Sequence, residues 1–172
     1  MPVKFSINEL NQLEPDAFIK QIGPVFEHSP WIAGTTFAQK PFADLRDLHR
    51  ALCDTVKNSG EERQLALIRA HPDLVGKLAL AGQLTRESTH EQASAGLDRL
   101  SAEEIALFQK KNEAYKNKFG FPFIICARLN KKEAILRGFE TRLENSRAQE
   151  IQAALAEIFK IAELRLRDLA AE

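Results

Sequence analysis

Apolar residues in this chain recur every three or four positions and almost nowhere every two. That spacing lines them up on one side of a helix, whereas a half-buried strand requires alternation. Leu45, Leu48, Leu52 and Val56 form one stripe; Ile105, Phe108, Tyr115 and Phe119 broadly form a second. Ile151, Leu155, Ile158, Ala162 and Leu169 form a third. Helix starts are marked as well. Ser6 stands three residues before Glu9, Ser88 before Glu91, Ser101 before Glu104 and Ser146 before Gln149. In such a pair each side chain takes an exposed backbone N–H of the other residue at the first turn. The pattern predicts an all-α fold, a single multi-helix domain over residues 1–172 with about seven or eight helices of ordinary length. Two stretches resist a helical reading: GPVFEHSPWIAGTTFAQKPF at 23–42, and FGFPFIICAR at 119–128, where FGFPFI reads as one short extended segment.

Charge narrows the function classes. The 24 basic and 24 acidic residues cancel, and no Lys/Arg run exceeds a pair, so neither nucleic acid nor an anionic membrane is an expected partner. Cys53 and Cys126 stand far apart and outside any C-x-x-C spacing, which suits a reducing compartment. MPVKFSINEL has no apolar signal core, FGFPFIICA is too short to cross a bilayer, and the final DLAAE is no peroxisomal tripeptide. A cytoplasmic protein is expected. The sequence contains no HExxH, GxSxG, Walker loop or GxGxxG. His28, His49, His71 and His90 offer no close helical pair, so neither a metal nor another cofactor is expected. His28 and Trp31, in EHSPWIA, read as packing around a loop.

Four places break the helical pattern. In RAHPDL, Pro72 pushes His71 out of the α region, so a helix beginning near Glu61 should end there. The negative end of that helix favours imidazolium, and His71 is either a cap for the last carbonyls or a proton donor on a rigid corner. In ESTHEQASAGL, Glu91 reads either as the third-position partner of Ser88 in a capping box or, with Ser88 and Gln92, as part of an anion-binding helix mouth. Gln92 has no evident structural duty. In KFGFPFIICAR, Gly120 and Pro122 end a helix. The stretch beyond is a buried connector, a new helix, or a peptide wall for a ligand anchored by Phe121, Phe123 and Ile124. Cys126 there is a poor nucleophile, because apolar surroundings raise a thiol pKa. The third stripe, continued past Ala162, lands on Arg165. Its guanidinium either reaches out to water or needs a carboxylate, from the protein or from a substrate.

RAHPDL at 69–74, S-x-x-EQ-x-x-AGL at 88–97, KFGFPFI at 118–124 and EIFKIAELRLRDL at 157–169, with FEHSPW at 26–31, occur in an order that resembles one family. That family is the 2-oxo-4-hydroxy-4-carboxy-5-ureidoimidazoline (OHCU) decarboxylases of urate breakdown. The resemblance covers nearly the whole chain and departs at no position that matters; His90 falls where the motif is permissive. It implies an all-helical, cofactor-free homodimer that converts OHCU to (S)-allantoin and carbon dioxide. His71 then corresponds to the proton donor, Glu91 to its acidic partner and Arg165 to the family's arginine. Pro72, the segment Ser88, Thr89, His90, Glu91 and Gln92, and the segment Phe123, Ile124, Ile125, Cys126 and Ala127 correspond to substrate-contacting positions. Some members are fused to a transthyretin-like hydrolase, for which 172 residues leave no room. A related enzyme for another ureide or imidazoline acid, and a noncatalytic helical interaction module, are the competing readings.

Overall fold

The computed structural model of the chain describes residues 4–171. It is all-α, as the spacing predicts. Among the described residues there are ten α-helices: α1 (Ile7–Asn11), α2 (Pro15–Ile22), α3 (Trp31–Thr36), α4 (Leu45–Lys57), α5 (Glu61–Ala70), α6 (Lys77–Leu80), α7 (Arg86–Ser94), α8 (Ala102–Phe119), α9 (Lys132–Leu143) and α10 (Arg147–Leu169). The excess over the expected number comes from α1, α3 and α6, which have five, six and four residues. Helices of one turn or so are too short to print a periodicity. Strand-like pairing among the described residues is confined to an isolated parallel bridge between Phe5 and Ala170.

Three of the four expected capping boxes form. Ser6 with Glu9 and Ser101 with Glu104 close reciprocally at the starts of α1 and α8. Ser146 and Gln149 exchange the same pair of bonds, at 2.9 and 3.2 Å. Ser88 and Glu91 do not. Helix α7 starts earlier, at Arg86, because Thr85 caps it by accepting the Ser88 N–H at 3.2 Å. Threonine is a competent N-cap in its own right, and with it in place Ser88 and Glu91 fall inside the helix. The anion-binding mouth expected around Ser88, Glu91 and Gln92 is corrected accordingly.

The fold resolves into two compact units. The first comprises residues 1–70 and 159–172, the second residues 71–158, so α10 contributes to both. In the first unit Leu10, Phe18, Ile22, Ile32, Leu48, Leu52, Val56 and Ile68 are withdrawn from solvent, with Ala162 and Leu166. Phe18 meets Phe37 edge-on and stacks with Phe42. The awkward stretch 23–42 becomes α3 flanked by two short 3₁₀ turns, Gly23–Val25 and Phe37–Gln39.

The second unit is built on an aromatic cluster. Tyr115 has Phe119, Phe123, Phe121 and Phe139 around it at ring separations of 4.6, 5.3, 6.0 and 6.4 Å. Phe123 stacks on Phe139 at 3.9 Å. These rings seat the nonhelical stretch after α8, where Gly120 ends the helix in the left-handed conformation (φ +81°) that glycine adopts without a Cβ penalty.

Candidate active site

Helix α5 stops at Ala70, and His71–Pro72 opens a nonhelical loop, as the proline dictates. His71 is 9% exposed. The loop behind it is tied down in detail. Gln92 of α7 accepts the Val75 N–H on Oε1 at 3.1 Å and donates from Nε2 to the Asp73 carbonyl at 3.3 Å. Asn112 of α8 donates to the Leu74 carbonyl at 2.7 Å, and Lys116 pairs with Asp73 at 2.6 Å. The absence of a structural duty for Gln92 is therefore overturned: its amide joins the histidine loop to α7.

On α7 the residues Ser88, Glu91 and Gln92 are buried, while Thr89 and His90 face water. Positions i, i+3 and i+4 share one helical face, which explains the division. Glu91 thus sits on the same inner face as the glutamine that grips the histidine loop.

The segment after Gly120 is nonhelical through Cys126, and Phe121, Phe123, Ile124, Cys126 and Ala127 are buried while Ile125 is half-buried. With no sheet to receive it, its backbone groups are met by side chains. Arg142 of α9 donates to the Ile124 carbonyl, Glu157 accepts the Cys126 N–H at 3.2 Å, and Asn130 donates to the Cys126 carbonyl at 2.9 Å. Arg142 is itself fixed, donating from Nε to Glu150 at 2.8 Å and lying over the Phe123 ring at 4.4 Å. Glu150 is fully buried and also accepts from Tyr115 Oη at 2.5 Å and Asn145 Nδ2 at 2.9 Å. Gly138 brings α9 against the same segment, where a Cβ would stand in ordinary contact with Phe123 at 3.4 Å and Ile125 at 3.5 Å.

The wall and α7 meet. The 3₁₀ turn Ala127–Leu129 packs against α7, and Lys131 donates to the Ser94 carbonyl at 2.8 Å. Burial pushes the Cys126 thiol up first of all, with the charges of Glu157 and Glu91 adding and a backbone bond from Leu129 opposing. Cys126 is thus held protonated, as expected of an inert thiol. The second unit therefore gathers the His71 loop, the inner face of α7 and the wall at 123–127.

Arg165 belongs to the first unit, where its head is 5% exposed. Nη2 donates to Glu27 Oε2 at 2.9 Å and Nη1 to the Pro24 carbonyl at 3.2 Å. The guanidinium stays inside, and the protein supplies a carboxylate. Glu27 comes from FEHSPW, where His28 takes a left-handed conformation (φ +46°) and turns outward while Glu27 stays 2% exposed. A separate groove of about 520 Å³ in the first unit, lined in part by Trp31, Asp54, Asn58 and Arg63, contains none of the predicted site residues. Among the described residues no three His, Cys, Asp or Glu side chains cluster to hold a metal, and no helix is long and apolar enough to cross a membrane.

The family profile for OHCU decarboxylase matches residues 11–167. This chain belongs to the OHCU decarboxylase family. A relative from Halalkalicoccus jeotgali, named 2-oxo-4-hydroxy-4-carboxy-5-ureidoimidazoline decarboxylase, is 40% identical over 96% of this chain and 92% of its own. The solved structure of an OHCU decarboxylase in the presence of (S)-allantoin superposes with a TM-score of 0.69, at 25% identity over 93% of this chain and all of that one. An (S)-allantoin synthase structure aligns with a TM-score of 0.76 and 26% identity over 99% of this chain, which spans 54% of that longer chain.

Sequence reasoning missed Glu27, Asn112, Arg142, Glu150 and Glu157. Two of them left a signal. Asn112 fills the gap in the stripe Phe108, Tyr115, Phe119, and Glu150 precedes Ile151 on the buried face of α10; a polar residue on a buried stripe is the mark that singles out Arg165.

Proposed function

We propose that the chain, as one catalytic domain of 172 residues, decarboxylates OHCU to (S)-allantoin and carbon dioxide without a cofactor, as a cytoplasmic homodimer. Membership of the OHCU decarboxylase family supports the reaction. The observation that carries the site is the meeting, within one unit, of the buried His71 loop, Glu91 on the inner face of α7, and the wall at 123–127.

The substrate makes the chemistry feasible for side chains alone. The carbon bearing the carboxylate also bears a hydroxyl and adjoins an imine. When carbon dioxide leaves, the electron pair flows into the C=N bond, so the substrate is its own electron sink and needs no pyridoxal or thiamine. Glu91 holds or takes the hydroxyl proton as the carbonyl forms, and that proton passes to the ring nitrogen that received the electron pair. His71 delivers a proton to the neighbouring ring carbon from one face, which sets the stereocentre. Backbone groups at Ile124 and Ile125 grip the ureido and ring amides; Pro72 and, from the inner face of α7, Ser88 and Gln92 complete the contacts. Arg165 orients an anionic or carbonyl oxygen. Tight binding of the departing carboxylate itself would stabilise the ground state and oppose the reaction, and Glu27 already tempers that charge.

The test is the consumption of freshly made OHCU by chelator-treated protein, followed with carbon dioxide release. Acceleration over the spontaneous decay, lost in Glu91→Gln, supports the assignment. A wild-type protein that leaves the decay unchanged, or acts faster on another imidazoline acid, contradicts it. Sedimentation of the same sample tests the dimer.

A further inference from the structure

We infer that Asn112 is a positioning residue for His71, holding, together with the Gln92 amide, the loop Asp73–Gly76 in a conformation it would not keep unaided. The inference rests on the proposed role of His71 and names what fixes that imidazole in place.

Val75 has φ +56°, the left-handed region. A β-branched residue there is a genuine outlier, because its Cβ substituents crowd the backbone. Its side chain is 2% exposed, so the unusual backbone is also packed in. Such a conformation persists only where the surroundings over-determine it. Here they do. The three residues Asp73, Leu74 and Val75 are held by two side-chain amides, one on α7 and one on α8: Asp73 O by Gln92 Nε2 at 3.3 Å, Leu74 O by Asn112 Nδ2 at 2.7 Å, and Val75 N–H by Gln92 Oε1 at 3.1 Å. The turn is tight enough that a Cβ on Gly76 would lie 2.7 Å from the Asp73 Cβ.

Asn112 is 5% exposed, and its Oδ1 takes no hydrogen bond. A desolvated amide that leaves its acceptor unmet is explained by what its donor does, which is to hold Leu74. Between this clamp and the imidazole stands Pro72, whose ring removes the softest backbone rotation. A displacement of residues 73–75 therefore passes to His71 with little absorbed on the way. Gln92 follows Glu91 directly on α7, so one amide keeps the proton donor and its acidic partner in register.

A misplaced proton donor weakens the transition state and leaves substrate binding largely intact. The experiment compares wild type, Asn112→Leu and Asn112→Asp, each checked for native helicity by circular dichroism. It measures kcat, KM and the enantiomeric ratio of the allantoin formed. The inference expects kcat to fall about tenfold or more, KM to move less than about threefold, and the product to drift toward the racemate. Both Asn112 variants must agree; if Asn112→Leu fails to fold, the isosteric Asn112→Asp decides by the same criteria. A kcat within about twofold of wild type, or a rise in KM alone with the enantiomeric ratio kept, overturns it. An inactive wild type would instead overturn the assignment of the reaction, so the two failures are distinct.

Discussion

Arg165 and Glu27 form a buried ion pair, Nη2 to Oε2 at 2.9 Å, with side chains 5% and 1% exposed. Removing one partner strands the other charge away from water, which costs about 3–5 kcal/mol. Glu27→Ala should lower the urea-unfolding free energy by roughly that amount. Replacing both residues by methionine should cost less than Glu27→Ala alone, because no charge is left buried. A double variant that loses as much as the two single replacements added together would show that the pair is not coupled.

The wall at 123–127 makes a different prediction. Arg142 ties the Ile124 carbonyl to the buried Glu150 carboxylate, and Tyr115 donates to the same carboxylate. Tyr115→Phe removes one charge-assisted hydrogen bond and should destabilise the fold by about 1.5–3 kcal/mol in denaturant titrations. Arg142→Lys keeps the charge but loses the fork that reaches both partners. It should raise KM for OHCU several-fold with little change in kcat, the opposite signature from that of Asn112. A kcat-selective loss would place the arginine's influence elsewhere.

Alkaline pH should destabilise the protein. Burial pushes the Cys53 thiol from its ordinary value near 9 up to about 12, with Lys57 opposing. Burial, with the hydrogen bond to Glu150 and that carboxylate's charge adding and Arg142 opposing, raises the Tyr115 hydroxyl above its usual range. Both groups keep their protons longer when folded than when unfolded. Their contribution is complete below about pH 9 and declines as pH climbs toward 12. Unfolding free energy measured from pH 8 to 11 should fall through that window, and Cys53→Ala should flatten the decline. A level profile in wild type would contradict the assignment.

Much of the helical framework is legible in the residues alone. The stripes at three and four residues give the helices, and Pro72 places the end of α5 at Ala70. The start of the helix that carries Glu91 is harder to read, since Thr85 and Ser88 are both good caps and only packing chooses between them. Gln92 looks idle in the sequence because its partners are backbone atoms 17 and 19 positions away, which no local pattern encodes. The left-handed turn at Val75 is hidden for a related reason: valine there runs against its own preference, and the side chains that hold it come from other helices. Arg165 stands out as an oddity on an apolar face, but the identity of Glu27 as its partner is a long-range fact.

The most direct measurement is the enantiomeric ratio of allantoin formed from fresh OHCU by wild type and by His71→Ala. Spontaneous decay gives racemic product, so handedness reports enzymatic protonation alone. Wild type should yield an excess of (S)-allantoin and His71→Ala a racemate at close to the background rate. An (S) excess that survives the loss of the imidazole would contradict the central claim that His71 delivers the proton.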